Sequence, residues 1–512
     1  MIALLGIDNG LTVTKAVLFN EFGRQISVSK RTVPQIKSQP RLVERDLDVV
    51  WTKTARAVKE AIDVSGLQAA NVQAVSVTAH GDGLYLLDRN CRPLGNGILS
   101  LDSRAYAQVD KWEMSGVSEA ALKISGQNPH ASAPSAILAW IKANQPERFS
   151  NIAHILSAKD WIRYCLTGVI ATDRTDASTS FCEVNTQDYS RDVLSLYDLE
   201  GILDALPDAQ HSAELCGEVS AIAAQQTGLK VGTPVATGLH DVTASSLGIG
   251  AHRDRVLGII AGTYSINEVV SKSPTISPYW FCRSAIEPGQ WNNMAISPSS
   301  TANYEWFIET FCQAENKQVT STNGSIHDIL GPELEIGLSR SSSIVFHPFL
   351  FGSPVGADAS ASLFGMRGWH DRRDVIAAIL RGIAFNHRFH VDHLKGGFEF
   401  DVVKLTGGAT RNKHVAQLFA DVLGQRIKTP LIDEAAAWGA ALCAGKSVGV
   451  FSSLSKTAEM VSEDCKVYEP DPDTHARLND QYKVYQGLSK IMSGIWDKLE
   501  VVTHNNVARK VE

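Results

Sequence analysis

No apolar run in this chain approaches the ~18 residues that cross a bilayer as a helix; the longest, 435–445, falls far short, so no membrane partner is expected. Paired cysteine spacings are also missing. The eight cysteines, Cys91, Cys165, Cys182, Cys216, Cys282, Cys312, Cys443 and Cys465, are scattered, which argues against a zinc ribbon or a disulfide scaffold and for reduced thiols. Positive charge is not in excess. With 48 Lys+Arg against 55 Asp+Glu the net charge is -7, and phosphate neutralisation gives no reason to expect a nucleic-acid partner. Nor is there a low-complexity tract, and 44% hydrophobic with 20% charged residues is the composition of a folded chain rather than a disordered one. The opening MIALLGIDNG has no basic stretch and soon reaches an acidic residue, so no export signal is expected and a cytoplasmic location is.

What is present alternates. Residues 4–19 read as two strands around a polar turn; Leu47, Val50, Trp51, Thr54, Val58 and Ala61 recur at helical spacing; 72–79 is strand-like again. Later, Val375, Ile376, Ile379, Leu380 and Ile383 mark a helix face, 402–406 is a strand running into two glycines, and Val415, Leu418, Phe419 and Val422 mark another helix. This alternation predicts an α/β fold with layered sheets. A weak internal repeat sharpens the reading. GIDNGLTVTKAV from Gly6 and GIIAGTYSINEVV from Gly258 share a strand, a glycine turn with hydroxyls and a second strand, and Gly6 and Gly10 match Gly258 and Gly262 at one offset of 252. The boundary is expected in the glycine-containing stretch 248–254, giving domains 1–250 and 251–502 and a loose tail 503–512. Residues 273–356 are expected to hold inserted strands and loops.

Each turn carries chemistry. Asp8 beside Gly10 and Thr12 puts a carboxylate next to amides able to face an anion: Gly10 admits a phosphate, Thr12 offers a hydroxyl, and Asp8 can hold hydrated Mg²⁺ against phosphate oxygens. A plain hairpin has the same composition. Gly262, Thr263 and Ser265 form a second cradle, and LTGGATRN (405–412) presents two glycines that admit a flat base or ribose, or merely a tight strand-to-helix connection. Asp241, in GLHDVTASSLGIG, ends one strand and opens a helix. It can accept a proton from a substrate hydroxyl, with helix amides helping to keep it ionised, or cap the helix, or both. His387, His390 and His393 invite a metal reading, but steps of three turn backwards around a helix, so the outer pair splays apart.

Taken together, LLGIDNGLTVTKAVLF, VSVTAHGDGLYLLD, LDSRA, GLHDVTASSLG, GTYS, ASLFGMRGWHDRRDVIAAILRG, GGATRNKHVAQLFADVLG and DEAAAWGAALCAG resemble, in number and order, the FGGY carbohydrate kinases over nearly the whole chain. The resemblance implies two actin-like ATPase (ribonuclease H-like) domains with a central interdomain cleft, sugar held mainly by the first and adenosine by the second. It implies ATP and Mg²⁺ as cofactors, a small-molecule sugar or polyol as partner, and allows a homodimer. It implies Asp241 as general base and Asp8 as organiser of Mg²⁺. Thr12, Lys15, Gly262 and Thr263 fall in the phosphate motifs, while Gly407, Gly408, Ala409 and Asn412 fall to the adenosine pocket. His80, Gly81, Asp82, Asp102 and Arg104, with Asp241, fall to the sugar. Without the resemblance, Asp102 and Arg104 read as a surface ion pair.

Two departures stand out. Leu11 replaces the Thr or Ser of many members, removing one phosphate hydroxyl, and FHPFLFGSPVGAD lacks the Glu-Arg that xylulose kinases commonly carry before Thr-Pro. TAHGDG followed by LYLLD and PLGN is similar to L-xylulose kinases, and HGDG also resembles erythritol kinases. The resemblance therefore implies a pentulose kinase, L-xylulose favoured, with erythritol or another linear polyol as the alternative acceptor. A different class, the actin-like nucleotide-switched binding protein without kinase activity, is the rival; Asp241 and the sugar-side residues favour the enzyme.

Overall fold

The computed structural model describes residues 2–322, 326–356 and 358–508. Its contacts group the chain into two units. The first takes Met1–Asp254, Val269–Met294 and Ile432–Glu463; the second takes Arg255–Glu268, Ala295–Leu431 and Asp464–Glu512. The boundary expected near 250 lies four residues before the first break, whereas the two later returns to the first unit have no counterpart in the sequence reading.

The first unit is built on a seven-stranded sheet. Its strands are β1 (Ala3–Asn9), β2 (Val13–Asn20), β3 (Gln25–Thr32), β4 (Val72–Ala79), β5 (Leu215–Glu218), β6 (Pro234–Ala236) and β7 (Leu239–His240). The order is β5-β6-β4-β1-β2-β3, with β7 also pairing β4. β1 and β2 form the expected hairpin, with Asp8 opposite Lys15, and β4 lies parallel to both β1 and β7. The register sets Asp8 beside Thr78 and His240 beside Ala79, so the carboxyl ends of three parallel strands come level. In open α/β sheets that edge is where ligands bind.

Helix α1 (Leu47–Ser65) starts at Asp46, whose side chain accepts the Val49 amide, and ends at Gly66 in the left-handed conformation. It buries Val50, Ala57, Val58 and Ala61 against the sheet, the face read from spacing. Helix α2 (Ala158–Thr167) opens with a capping box between Ser157 and Asp160. Helix α3 (Asp241–Gly248) follows β7 directly.

The second unit repeats the plan. β8 (Val256–Ala261) is followed across a turn by its sheet neighbour β9 (Ser265–Ser271). Of the intervening region, β10 (Phe281–Ser284) and β11 (Trp291–Ser297) pair antiparallel, and β10 with most of β11 falls in the first unit. The strand Val345–His347 and the loops also fit the expectation, but Ala302–Phe311, Gln313–Thr322 and Ile326–Ser339 depart from it as helices. Helix α4 (Arg372–Lys395) begins with a capping box at Asp371 and Asp374. β12 (Val402–Thr406) lies parallel to β8. Next come helix α5 (Lys413–Leu423) and β13 (Ile427–Pro430), which is parallel to β12.

Helix α6 (Ala435–Ser447) belongs to the first unit, and strand β14 (Cys465–Tyr468) and helix α7 (Pro472–Ala508) to the second. Residues 503–508, expected to be loose, continue α7; the remaining tail residues lie outside the described residues. No helix among the described residues is long and apolar enough to cross a membrane.

Candidate active site

Three strand ends of the first unit assemble the site. Asp8, in β1, has its side chain 12% exposed and lies 3.5 Å from the Lys15 ammonium. Lys15 in turn donates to Glu434 at 2.8 Å, and Lys30 reaches the other oxygen of Glu434 at 2.6 Å. Burial raises the Asp8 carboxyl above its ordinary value, with Lys15 opposing and Glu434 adding to the rise. Burial works against the Lys15 ammonium, yet Asp8 and Glu434 together hold its pKa above the ordinary value. Lys15 is thus engaged by carboxylates, and Glu434, from the DEAAAWGAALCAG segment, stands with Asp8.

The Gly10–Thr12 turn is braced from behind. Arg45, wholly buried, donates to Asn9 Oδ1 at 3.1 Å and to the Gly10 carbonyl at 2.7 Å. Thr12 is exposed, and its carbonyl accepts the Val33 amide. A Cβ built on Gly10 would meet only the Val13 carbonyl, at 3.5 Å, so the fold itself does not demand glycine there. A residue that needs no Cβ beside an exposed hydroxyl suits a turn that receives an anion.

Asp241 is the first residue of α3, and His240, not Asp241, occupies the capping position. One Asp241 oxygen accepts the Val242 amide at 2.8 Å, and the side chain remains 30% exposed. Burial of its surroundings raises the Asp241 pKa well above the ordinary carboxylate value, and Asp8, Asp176 and Asp82 raise it further. Of the helix amides expected to help keep it ionised, the Val242 amide does lower its pKa but is outweighed by desolvation and three like charges. A partly exposed carboxyl with a raised pKa has the character of a general base.

His240 lies 3.6 Å from Asp241 and is held neutral, its pKa about 4, by burial and by Arg283. Its ring fills the space beside Gly81, where a Cβ would come within 1.6 Å of Nε2. Gly81 therefore serves the fit of His240. His80, likewise neutral with a pKa of about 3 through burial and Arg45, contacts the Gly81 carbonyl and the Tyr85 hydroxyl, each at 3.3 Å.

Asp82 takes a left-handed backbone (φ 53°) and accepts from Arg283 at 3.1 Å, with His130 3.7 Å away. Against burial, Arg283 holds Asp82 below its ordinary value, that is, ionised. Arg283 donates on its other side to Gln127 at 2.8 Å. Asp82 and Asp176 line one cavity with Thr179 and Tyr189.

Asp102 and Arg104 form a pair at 2.8 Å with side chains 0% and 1% exposed, so the surface ion pair is corrected to a buried one. Asp102 also accepts the Val43 amide at 2.7 Å, and Arg104 donates to Glu44 at 2.6 Å. The pair pins the 43–44 segment.

Beneath the Asp241 turn lies a charge cluster that the sequence reading missed. The Lys159 ammonium contacts Asp160 at 2.6 Å and Asp173 and Asp176 at 3.0 Å each, all with side chains at most 5% exposed. Arg163 adds a bond to Asp160 at 2.9 Å. Burial, with Asp173 and Asp160, lifts Asp176 to about 6 despite Lys159. Thr175 bonds Asp173 and accepts the His240 amide at 2.9 Å, which ties the cluster to the residue before Asp241. Three charged residues in the ten-residue α2 beside buried Trp161 and Ile162 were the one available signal; Arg283 and Arg45 gave none.

In the second unit, Gly262, Gly407 and Gly408 follow the parallel strands β8 and β12, and Thr263 is exposed. Gly407 has φ 128° and would strike the Ala261 carbonyl at 2.1 Å with any Cβ, so packing alone demands it. Gly262 and Gly408 face open space: the nearest atom to a Cβ at Gly262 is 4.0 Å away, and nothing lies within 4 Å at Gly408. Asn412 caps α5 by accepting the His414 amide at 2.9 Å. Ala409 lies in a short 3₁₀ turn, and its side chain is outside what the structure describes.

Among the described residues no group of three or more His, Cys, Asp or Glu could cage a metal ion. A single carboxylate is nevertheless sufficient for Mg²⁺ when substrate phosphates and water complete its shell, and Asp8 fits that limited role.

The chain is 29% identical over 501 residues to the L-xylulose/3-keto-L-gulonate kinase of Escherichia coli (strain K12), covering 97% of this chain and 98% of the relative. It is 31% identical over 497 residues to a probable L-xylulose kinase of Pasteurella multocida (strain Pm70), covering 96% and 99%. Its fold matches the crystal structure of a ligand-bound xylulose kinase from Lactobacillus acidophilus, with TM-score 0.86, 21% identity and 98% and 100% coverage. The glycerol kinase of Plasmodium falciparum with ADP matches with TM-score 0.81, 19% identity and 96% and 98% coverage. Family models for the N-terminal and C-terminal domains of the FGGY carbohydrate kinases match residues 3–248 and 257–448. With two domain models over most of its length and the two-domain, mixed α/β fold they describe, the chain belongs to the FGGY family of carbohydrate kinases and is a sugar kinase.

Proposed function

We propose that the chain transfers the γ-phosphate of ATP to a hydroxyl of a pentulose, with L-xylulose the favoured acceptor. The observation that carries this reading is Asp241, a partly exposed carboxyl at a strand-to-helix junction whose pKa is raised by burial and by Asp8, Asp176 and Asp82. Asp241 would accept the proton of the attacking hydroxyl. Phosphoryl transfer asks little covalent chemistry of the protein, so a base need only orient the hydroxyl and take its proton as the bond forms. Asp82, kept ionised by Arg283, would accept hydrogen bonds from acceptor hydroxyls, with His80 and Gly81 shaping the wall beside it. Asp102 and Arg104 would act on the acceptor by fixing the 43–44 segment.

Exposed Thr12 and Thr263, with open Gly10 and Gly262, would receive nucleotide phosphates, and Gly408, Ala409 and Asn412 would border the adenosine. Asp8 is the residue that would hold Mg²⁺, which when bound neutralises charge on the phosphates. Lys15 would then balance Asp8 and Glu434. The L-xylulose preference rests on the names of the relatives above and on the TAHGDG segment.

A coupled ADP-release screen over D- and L-ketopentoses, ketohexoses and four- or five-carbon polyols tests the reading. Release should be strongest with L-xylulose. A clear preference for erythritol would move the acceptor to the polyols, and release independent of every sugar would sink the kinase assignment.

A further inference from the structure

The histidine run on α4 is engaged in a different task from metal binding. His387 and His390 are buried, and each faces polar groups of the second unit. His387 Nδ1 meets Asn267 Oδ1 at 2.9 Å, and its Nε2 meets the Ser300 hydroxyl at 3.2 Å. Because Oδ1 can only accept, Nδ1 carries the proton and Nε2 accepts from Ser300. His390 Nε2 pairs with the Ser297 hydroxyl at 2.9 Å, and Asn386 donates to that hydroxyl and to the Ser299 carbonyl, both at 3.0 Å. Burial keeps both rings neutral, with His390 at about 3.

These bonds converge on the turn between β8 and β9 from both sides. Asn267, held by His387, donates to the Ser265 hydroxyl at the start of β9 and to the Ala295 carbonyl, at 3.2 Å each. The segment containing Ser297, Ser299 and Ser300 leads into Thr301, whose hydroxyl and amide both donate to the Gly262 carbonyl, at 2.7 and 3.0 Å. Asn267, Ser299, Ser300, Asn386 and His387 are wholly buried. A polar network this deep fixes one geometry where its members are paired, as both His387 ring nitrogens and the Asn267 amide are; Asn386 Oδ1 is the member left without a hydrogen-bond partner among the described residues. What it fixes here is a turn whose own residues, Gly262 and Thr263, have little packing to hold them.

We propose that His387, acting through Asn267, Ser300 and Thr301, is a positioning residue that sets the Gly262–Tyr264 turn in its phosphate-receiving shape before nucleotide arrives. The inference rests on the reading that this turn takes nucleotide phosphates. A preformed turn gives up less freedom on binding, so loosening it should weaken nucleotide affinity while sparing the sugar acceptor.

The test compares full-length wild type with His387→Phe, His387→Gln and Thr301→Val. It uses calorimetric titration with ADP and magnesium chloride in the absence of sugar, and the acceptor KM at saturating ATP. Thr301→Val removes one bond to Gly262 and should raise the ADP Kd about fivefold. His387→Phe keeps the ring volume but loses two bonds and should raise it more, with the acceptor KM within about twofold of wild type. Glutamine can both donate and accept, so His387→Gln should recover part of the loss. If His387→Phe does not fold, Thr301→Val decides. Variants that bind ADP as wild type does, or that shift both substrates equally, overturn the inference alone. A wild-type chain that binds no nucleotide overturns the phosphate reading and the inference with it.

Discussion

At the scale of single residues, Asp241 trades stability for reactivity. Its folded-state pKa lies above the unfolded value, so the charged form is the disfavoured one: its contribution to stability is present at low pH and lost as pH rises through the folded pKa. Asp241→Asn removes that charge and its repulsion with Asp8, and should resist urea better than wild type at pH 7, by about 1 kcal/mol, while kcat falls ~10³-fold or more. ADP titration should show near wild-type affinity; normal turnover with lost nucleotide binding would end the assignment. For the same reason kcat should decline toward acid pH with a midpoint above 3.8, since only the ionised carboxyl accepts a proton. A flat kcat down to pH 4 would contradict it.

Lys159 is the opposite case. Lys159→Met would leave Asp160, Asp173 and Asp176 buried with Arg163 as the remaining cation of the cluster, and should cost about 3–5 kcal/mol by urea denaturation. The strand-to-helix junction that carries Asp241 was legible in the sequence because it lies in one string, while the role of base came from the family resemblance. The Lys159 cluster and Arg283 were not, because Lys159 meets residues 14 and 17 positions away and Arg283 meets Asp82 across 201, separations that no local pattern encodes.

At the scale of elements, glycines separate into those the fold needs and those a ligand would need. A Cβ on Gly6 would fall 1.9 Å from the Ala437 carbonyl, on Gly248 2.0 Å from Ala435, and on Gly439 2.0 Å from Ala244. These three let α6 lie against β1 and α3 at backbone contact. Gly6→Ala must push α6 away and should cost at least ~3 kcal/mol or abolish soluble expression. Gly10→Ala and Gly408→Ala, which meet nothing closer than 3.5 Å, should melt as wild type yet raise the KM for ATP severalfold. Equal melting of the Gly6 and Gly10 variants would dissolve the distinction. Strand-turn-strand pairs and the α1, α4 and α5 faces were readable from periodicity. Which of two similar glycines touches a distant carbonyl was not, since spacing carries no information about what crosses above it.

At the scale of the whole molecule, the chain returns to finish a core it began four hundred residues earlier. Leu4, Val17, Phe19 and Ala74, on the first sheet, share a buried cluster with Ala437, Trp438, Ala441, Leu442 and Phe451. Trp438 is fully buried with its ring 5.1 Å from Phe19. Without 432–463 that sheet face would meet water, and at ~25 cal/mol per Å² of apolar surface the loss of one large aromatic and its neighbours exceeds what a marginally stable domain can spare. A fragment ending at 254, where composition suggested a domain edge, should therefore be insoluble or lack a cooperative unfolding transition. The same fragment carrying Trp438 and its helix back through a linked 432–463 segment should regain solubility in part, with Val269–Met294 still missing. Cooperative, reversible melting of the short fragment alone would show that the first sheet is stable with one face uncovered, and that the late return of the chain adds α6 to a core already complete.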